Sequence, residues 1–482
     1  MNSAEFEPVI GLEVHAELLT RSKMFCGCSV VDSTVAEPNT SVCEICTGMP
    51  GTLPVINERA IEFAVRVALA LRCTIAETSV FARKNYFYPD LPKGYQISQY
   101  ELPLAQDGWL DIETAAGDKR IRIRRVHLEE DTGKLFHRER HSLIDYNRSG
   151  VPLLEIVSEP DLRSIEEAKA YTTTLRSFLR YLEVNSGDME KGVIRFEANV
   201  SVRQAGSNEL GTRTEIKNLN SFRAMTRALA YEVERQSAIL KDGGKISQET
   251  LGWDEARSST VLQRSKEEAH DYRYFPEPDL PPLHVEATWV AQIQSELPEL
   301  PLEKRRRFEA EYALSAYSAG VLTNERSIGD FFEDAVRSAP AVPPEKIANW
   351  ISGDFFGLSN QAGIEFQDSI VSAADLARLV ELVETGEIST TSAKTIMAEM
   401  VASGNAPDSI LDELGLSMIQ DPEFIEDVVR RVLDENPLQV ANYLDGNTGV
   451  FQWLFGQVMK ETEGRANPSD VRKYLERALG SN

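Results

Sequence analysis

Four cysteines stand close together in the chain as Cys26-x-Cys28 and Cys43-x-x-Cys46. Two tight chelating turns of this kind can bring four thiolates around a tetrahedral ion. With all four positions filled by sulfur, no place is left for a reactive water, so the spacing predicts a structural zinc site. A second set of residues able to do chemistry lies in segments of strand period: Glu13, His15 and Glu17; His127, Glu129 and Glu130; Glu155; Glu197; Glu215. Taken singly, each also fits a solvated sheet face. Glu155 resists that reading, because Val151-Pro-Leu-Leu-Glu-Ile-Val157 surrounds it with apolar neighbours. A carboxylate there must be paired, hydrogen-bonded or bound to a metal. Carboxylates gathering with a histidine repel one another unless a cation sits among them. An oxygen-rich site of that kind suits magnesium, which also bridges nucleotide phosphates.

Positive groups accompany these acids. Arg83-Lys-Asn-Tyr-Phe-Tyr-Pro-Asp90, followed by Lys93-Gly-Tyr-Gln96, mixes cations, aromatics and an amide. It could hold phosphates and stack a base, or be a turn rich in amphipathic aromatics. Lys119-Arg-Ile-Arg-Ile-Arg-Arg125 is a basic strand that could bind RNA or face water. No Gly-x-x-x-x-Gly-Lys-[Ser/Thr] loop, Gly-x-Gly-x-x-Gly fingerprint or Gly-x-Ser-x-Gly elbow occurs, so any nucleotide chemistry uses another scaffold.

The elements that must position these groups have clear signatures. Between Ile10 and Leu18 apolar residues alternate with Gly11, Glu13, His15 and Glu17, and Ile194 to Arg203 repeats the design. Period two of this quality predicts strands with one buried face. Ile121 to Glu129 and Leu153 to Val157 are further strand candidates. Ser164-x-x-Glu167 opens an amphipathic helix as a capping box, Asn57 can cap Ile61 to Leu71, and Asn220 or Ser221 can cap Phe222 to Leu240. Cys73, just past an apolar helix, reads as a small core residue. Strands and helices in no strict alternation predict an α+β fold with a mostly antiparallel sheet. After the proline-rich hinge Phe275 to Pro282 the period turns helical, ending in a helix capped by Asn467 with Pro468 in its first turn.

A chain of 482 residues predicts two to four domains, and its 42% apolar and 26% charged content is that of a globular protein. The net charge of -25 argues against unspecific nucleic-acid binding. Most of that excess lies beyond Val285, however, and the stretch from Leu438 onward is balanced. Lys460, Arg465, Arg472, Lys473 and Arg477 there are candidate RNA contacts or an ordinary solvated helix. Met1 to Glu7 carries neither a basic nor an apolar stretch and no segment is long enough to span a bilayer, so a cytoplasmic protein is expected, without disulfides.

Longer strings carry a resemblance. Val9-Ile-Gly-Leu-Glu-Val-His-Ala-Glu-Leu18, the Arg83 to Asp90 string, His127-Leu-Glu-Glu-Asp-Thr-Gly-Lys134 and Asp145-Tyr-Asn-Arg-Ser-Gly-Val-Pro-Leu-Leu-Glu-Ile-Val-Ser-Glu-Pro-Asp161 resemble the B subunits of the GatCAB amidotransferases. So do Thr214-Glu-Ile-Lys-Asn-Leu-Asn-Ser221 and Asp271-Tyr-Arg-Tyr-Phe-Pro-Glu-Pro-Asp279. The related archaeal E subunit carries a large inserted domain that is missing here. The resemblance implies a catalytic cradle at 1–294 with a zinc-binding insertion at 26–46, a helical domain at 295–405, and a YqeY-like tRNA-binding domain at 406–482.

It further implies a reaction. ATP phosphorylates the tRNA-linked side chain of Glu-tRNA(Gln) or Asp-tRNA(Asn), and ammonia from an amidase A subunit displaces the phosphate, with a small C subunit completing the heterotrimer. By similarity His15, Glu129 or Glu130, and Glu155 are magnesium ligands, and Glu13 lies beside the reacting carboxylate. Glu197 positions ammonia or substrate, and Lys84, Lys93 and Tyr88 hold ATP. Zinc stabilises, since other members lack the cysteines. Glu44 stands where the family pattern has a proline. Two other readings share these residues: a non-catalytic zinc-containing RNA adaptor, and a magnesium-dependent ligase of ATP-grasp type.

Overall fold

The alternation of Ile10 to Leu18 becomes the strand Phe6–Glu17, which lies inside a twelve-stranded sheet. In this computed structural model residues 5–265, 271–364, 366–419 and 421–480 are described, so Met1–Ala4 of the N-terminal stretch lie outside the described residues. Phe6–Glu17 pairs antiparallel with Pro152–Ser158 on one side and Ile194–Gln204 on the other. Gly117–Glu130 follows beyond the first and Thr214–Leu219 beyond the second. Glu249–Asp254 joins Thr214–Leu219 in parallel, while the other pairings in this sheet are antiparallel. The α+β expectation is met.

Period two sends Ile10, Leu12, Val14 and Ala16 to one face, together with Leu154, Ile156, Val126, Leu128, Ile194, Ala198 and Val200 from the neighbouring strands, all of them buried. Helices cover that face: Glu58–Ala70, Ile165–Tyr181 and Phe222–Lys241 contribute Ile61, Ala64, Leu175, Leu179, Met225 and Leu229 to the same core. Each fully buried Leu, Ile or Phe there is worth about 1.5–3 kcal/mol against exposure. The expected caps form. The Asn57 side chain accepts from the Arg59 and Ala60 amides, Ser164 from Glu167, and Ser221 from Ala224. The capping box is displaced by one residue, because the Glu167 carboxylate turns to the Arg163 amide, 2.6 Å away, and to Lys119.

Contacts divide the chain at Leu300/Pro301 into two units. The second is helical among its described residues, with one apolar cluster between Phe308 and Leu411 and another between Ile425 and Leu479. Its last helix, Pro468–Ala478, is capped by Asn467 and buries Val471 and Leu475 as its period requires. No helix among the described residues is long and apolar enough to cross a membrane.

Candidate active site and cysteine metal centre

The sheet's other face carries the polar half of each alternation. Antiparallel register places Glu155 opposite His15 and His127, Glu129 opposite Leu153, Glu197 opposite Glu13, and Glu215 opposite Asn199. Groups scattered over 200 residues of chain thereby line one cavity of about 470 Å³. His15 Nε2 lies 3.4 Å from Glu155 Oε2 and 3.8 Å from Glu129 Oε1, and His127 Nε2 lies 3.3 Å from Glu155 Oε2. One ligand atom each from His15, Glu129 and Glu155 falls within 4.8 Å of the others, and so does a second set from Glu13, Glu197 and Glu215. Lys84, Arg125, Arg195, Lys217, Tyr272 and Tyr274 complete much of the wall.

Charge is unbalanced here, and the titration behaviour says how. Burial first, then the Glu155 and Glu197 charges, push the Glu13 carboxyl up. Burial opposes ionisation of Glu155, but His127 and His15 outweigh it and hold that carboxyl well below the usual range. Burial also opposes charge on His15, yet its hydrogen bond to Glu155 and the nearby carboxylates carry it up to about 9. Glu197 is kept ionised against burial by Lys217, which donates to it at 2.7 Å. Lys84 is likewise raised against burial, above all by the Glu129 charge. Glu129 Oε2 and His127 Nδ1 are buried and have no hydrogen-bond partner among the described residues. A proton on His15 is the only positive charge the His15, Glu129 and Glu155 set itself can supply. An orphaned carboxylate oxygen in an acid-rich set is what a divalent cation satisfies, so these residues fit a metal ion.

The expected residues divide. Glu13, His15, Glu129, Glu155, Glu197 and Lys84 all line the cavity. Glu130 and Lys93 are not among the residues lining it. One residue beyond Glu129, strand parity turns Glu130 to the opposite face, where Lys93 pairs with it and the Ile97 amide donates to it at 2.9 Å. Tyr88 is also absent from the wall and more than half exposed. The basic strand is neutralised along its length: Lys119 pairs with Glu167, Arg120 with Asp111, Arg122 with Asp161 and Arg124 with Glu159. His127, grouped with the acids from the sequence, and Arg125, read there as part of a basic strand, also line the cavity, and lining residues to which the sequence assigned no role include Arg195, Lys217, Tyr272 and Tyr274. Parity was the available signal for Arg195 and Lys217, since they alternate in step with Glu197 and Glu215. The tyrosines carried no periodic signal.

The four cysteine sulfurs of the 26–46 segment also lie within 4.8 Å of one another. The Cys26 thiol contact and the Cys43 backbone N–H, helped by the Lys23 charge, overcome burial and lower Cys46 to about 4. Cys26 is raised in turn by that contact. Thiols this close share protons they would lose to a soft cation, and the cluster fits a metal ion as an all-sulfur tetrad. Cys73 is buried in the main core, as expected.

Residues 8–291 match the GatB/GatE catalytic domain and residues 330–479 the GatB domain, so the chain belongs to the GatB/GatE family. Among its relatives is the aspartyl/glutamyl-tRNA(Asn/Gln) amidotransferase B subunit of Roseiflexus sp. (strain RS-1), 52% identical over 98% of this chain and 97% of the relative. The proteins of the same name from Thermoanaerobacter sp. (strain X514) and Moorella thermoacetica are 50% and 51% identical, over 98% of this chain and 99% and 100% of theirs.

Proposed function

We propose that this chain is the kinase and transamidase component of a cytoplasmic three-subunit enzyme. It converts Glu-tRNA(Gln), Asp-tRNA(Asn) or both into the amidated Gln-tRNA(Gln) and Asn-tRNA(Asn). The observation that carries this reading is the meeting of His15, Glu129, Glu155, Glu13 and Lys84 in one cavity of a chain that belongs to the GatB/GatE family. In the first step a side-chain oxygen of the tRNA-linked amino acid bonds to the γ-phosphorus of ATP, and the bond to ADP breaks. In the second, ammonia bonds to the acyl carbon, inorganic phosphate leaves, and the nitrogen gives up a proton. The first step is needed because a carboxylate is a poor acceptor for ammonia, whereas an acyl phosphate has a good leaving group.

His15, Glu129 and Glu155 would hold magnesium, which when bound neutralises charge where phosphate and carboxylate meet. Lys84 attracts the phosphates from the cavity wall. Glu13, whose affinity for protons is raised, stands ready for the proton that ammonia loses. Glu197, kept anionic by Lys217, accepts N–H groups and orients the nucleophile. Tyr272 and Tyr274 offer faces on which a base can stack. Cys26, Cys28, Cys43 and Cys46 would hold a structural zinc ion.

The ammonia comes from the amidase A subunit, and the small C subunit completes the heterotrimer. Residues 1–294 form the catalytic cradle, 295–405 the helical domain, and 406–482 the tRNA-binding domain. The test is Glu155→Gln in the assembled complex, measuring tRNA affinity, tRNA-dependent phosphate release from ATP and amide formation. Retained tRNA binding with both chemical readouts lost supports the reading; amide formation at the wild-type rate ends it. Phosphate release triggered by a free amino acid instead of charged tRNA would point to a ligase of a different substrate class.

A further inference from the structure

Lys23 is fully buried in the first unit, and among the described residues no carboxylate pairs with it. Its Nζ donates to the Ser41 carbonyl at 2.7 Å and the Tyr146 carbonyl at 3.3 Å, and lies 3.6 Å from Cys46 Sγ. A buried ammonium needs a counter-charge, and two neutral carbonyls do not supply one. The group within its reach that can become an anion is the Cys46 sulfur. That sulfur also accepts the Cys43 backbone N–H at 3.2 Å, so two N–H donors converge on it. Four thiolates around one dication leave a surplus of negative charge, which N–H donors to sulfur disperse.

The two carbonyls belong to segments that are stitched together. The Asn39 amide donates to Asp145 Oδ1 at 3.0 Å, the Ser41 amide to Asn147 Oδ1 at 2.9 Å, and Asn147 Nδ2 to the Glu37 carbonyl at 2.8 Å. Gly150 seals the joint with φ at +85°, where an added Cβ would lie 3.3 Å from Cys46 Cβ and 3.5 Å from Lys23 Cδ. The turn at 145–150 leads directly into Pro152–Ser158, the strand that carries Glu155.

We propose that Lys23 is the positioning and charge-balancing residue of the cysteine centre: its ammonium stabilises Cys46 as a thiolate ligand and fastens the centre to the turn that enters the Glu155 strand. The inference rests on the zinc reading above. To test it, zinc is quantified in the purified full-length protein, and its release to a chromophoric chelator is timed for wild type, Lys23→Met and Lys23→Gln. The same proteins are loaded with cobalt(II), and the thiolate-to-cobalt charge-transfer band is recorded.

Zinc is expected to leave Lys23→Met about 10–100-fold faster than wild type, with Lys23→Gln between them. The cobalt band should move to lower energy, because a sulfur without its cationic donor gives up an electron more readily. A clamp acting on the two carbonyls alone would not move that band. Release at the wild-type rate with an unmoved band overturns the proposal. If Lys23→Met does not fold, Lys23→Gln, which keeps an N–H donor, carries both measurements with the same criteria. Wild-type protein holding neither zinc nor cobalt is a separate failure, that of the zinc reading itself.

Discussion

Two regions of the molecule bury charge, and they do so differently. In the helical unit, Lys304 is almost wholly enclosed, with Asp330 at 2.5 Å and Glu333 at 3.1 Å, while Arg307 reaches the same Glu333 at 2.8 Å. Burial opposes the charge on Glu333, but Arg307 and Lys304 hold its carboxyl below the ordinary range. Signs are matched within the chain. In the cavity of the first unit six acids face four lysines and arginines, and Glu129 Oε2 has no hydrogen-bond partner among the described residues. A matched network is complete as folded, whereas an unmatched one that persists implies something from outside the chain to complete it. The two neighbours Glu129 and Glu130 show the same contrast at the scale of one peptide bond. The first faces the cavity with an orphaned oxygen, and the second is neutralised by Lys93 on the opposite face.

The comparison can be broken at four points. Glu155→Gln is expected to lower amide formation by about a thousandfold, equivalent to about 4 kcal/mol, without lowering the melting temperature. A parallel fall in stability and rate would mean that the cavity is another structural network. Glu129→Gln should cost about 10–100-fold in turnover. Glu130→Gln, assayed beside it by denaturant unfolding, should instead cost about 1–3 kcal/mol of stability by weakening the buried contacts of Lys93 and the Ile97 amide. Equal kinetic effects of these two substitutions would erase the distinction between the faces.

Lys304→Met should destabilise the helical unit by about 2 kcal/mol, less than for a fully enclosed pair because Asp330 is half exposed. Its turnover per folded molecule should be unchanged, which urea titration and activity on the same sample will check. The smallest effect is expected from Arg122→Gln, whose own side chain is mostly exposed although that of Asp161 is not: about 1 kcal/mol of stability and no measurable change in tRNA affinity. Weaker, more salt-sensitive tRNA binding by that variant would restore the basic strand as an RNA contact.

Alternation along Ile10 to Leu18 and Ile194 to Arg203 was enough to define two strands and to say which residues faced away from the core, because period two ties each side chain to one face. Cap chemistry at Asn57, Ser164 and Asn467 marked helix starts for an equally local reason. The paired cysteines announced their own cluster, since both chelating turns lie within one short segment. Strand order is not a local property. Which strand lies beside Phe6–Glu17, and hence whether Glu155 meets His15 or stands alone, depends on contacts between residues more than a hundred positions apart. The side taken by Glu130, the neutralisation of Arg120 to Arg124 and the arrival of Tyr272 and Tyr274 at the cavity wall were decided the same way. Each depends on a partner from a distant strand or loop that only the packed sheet brings near.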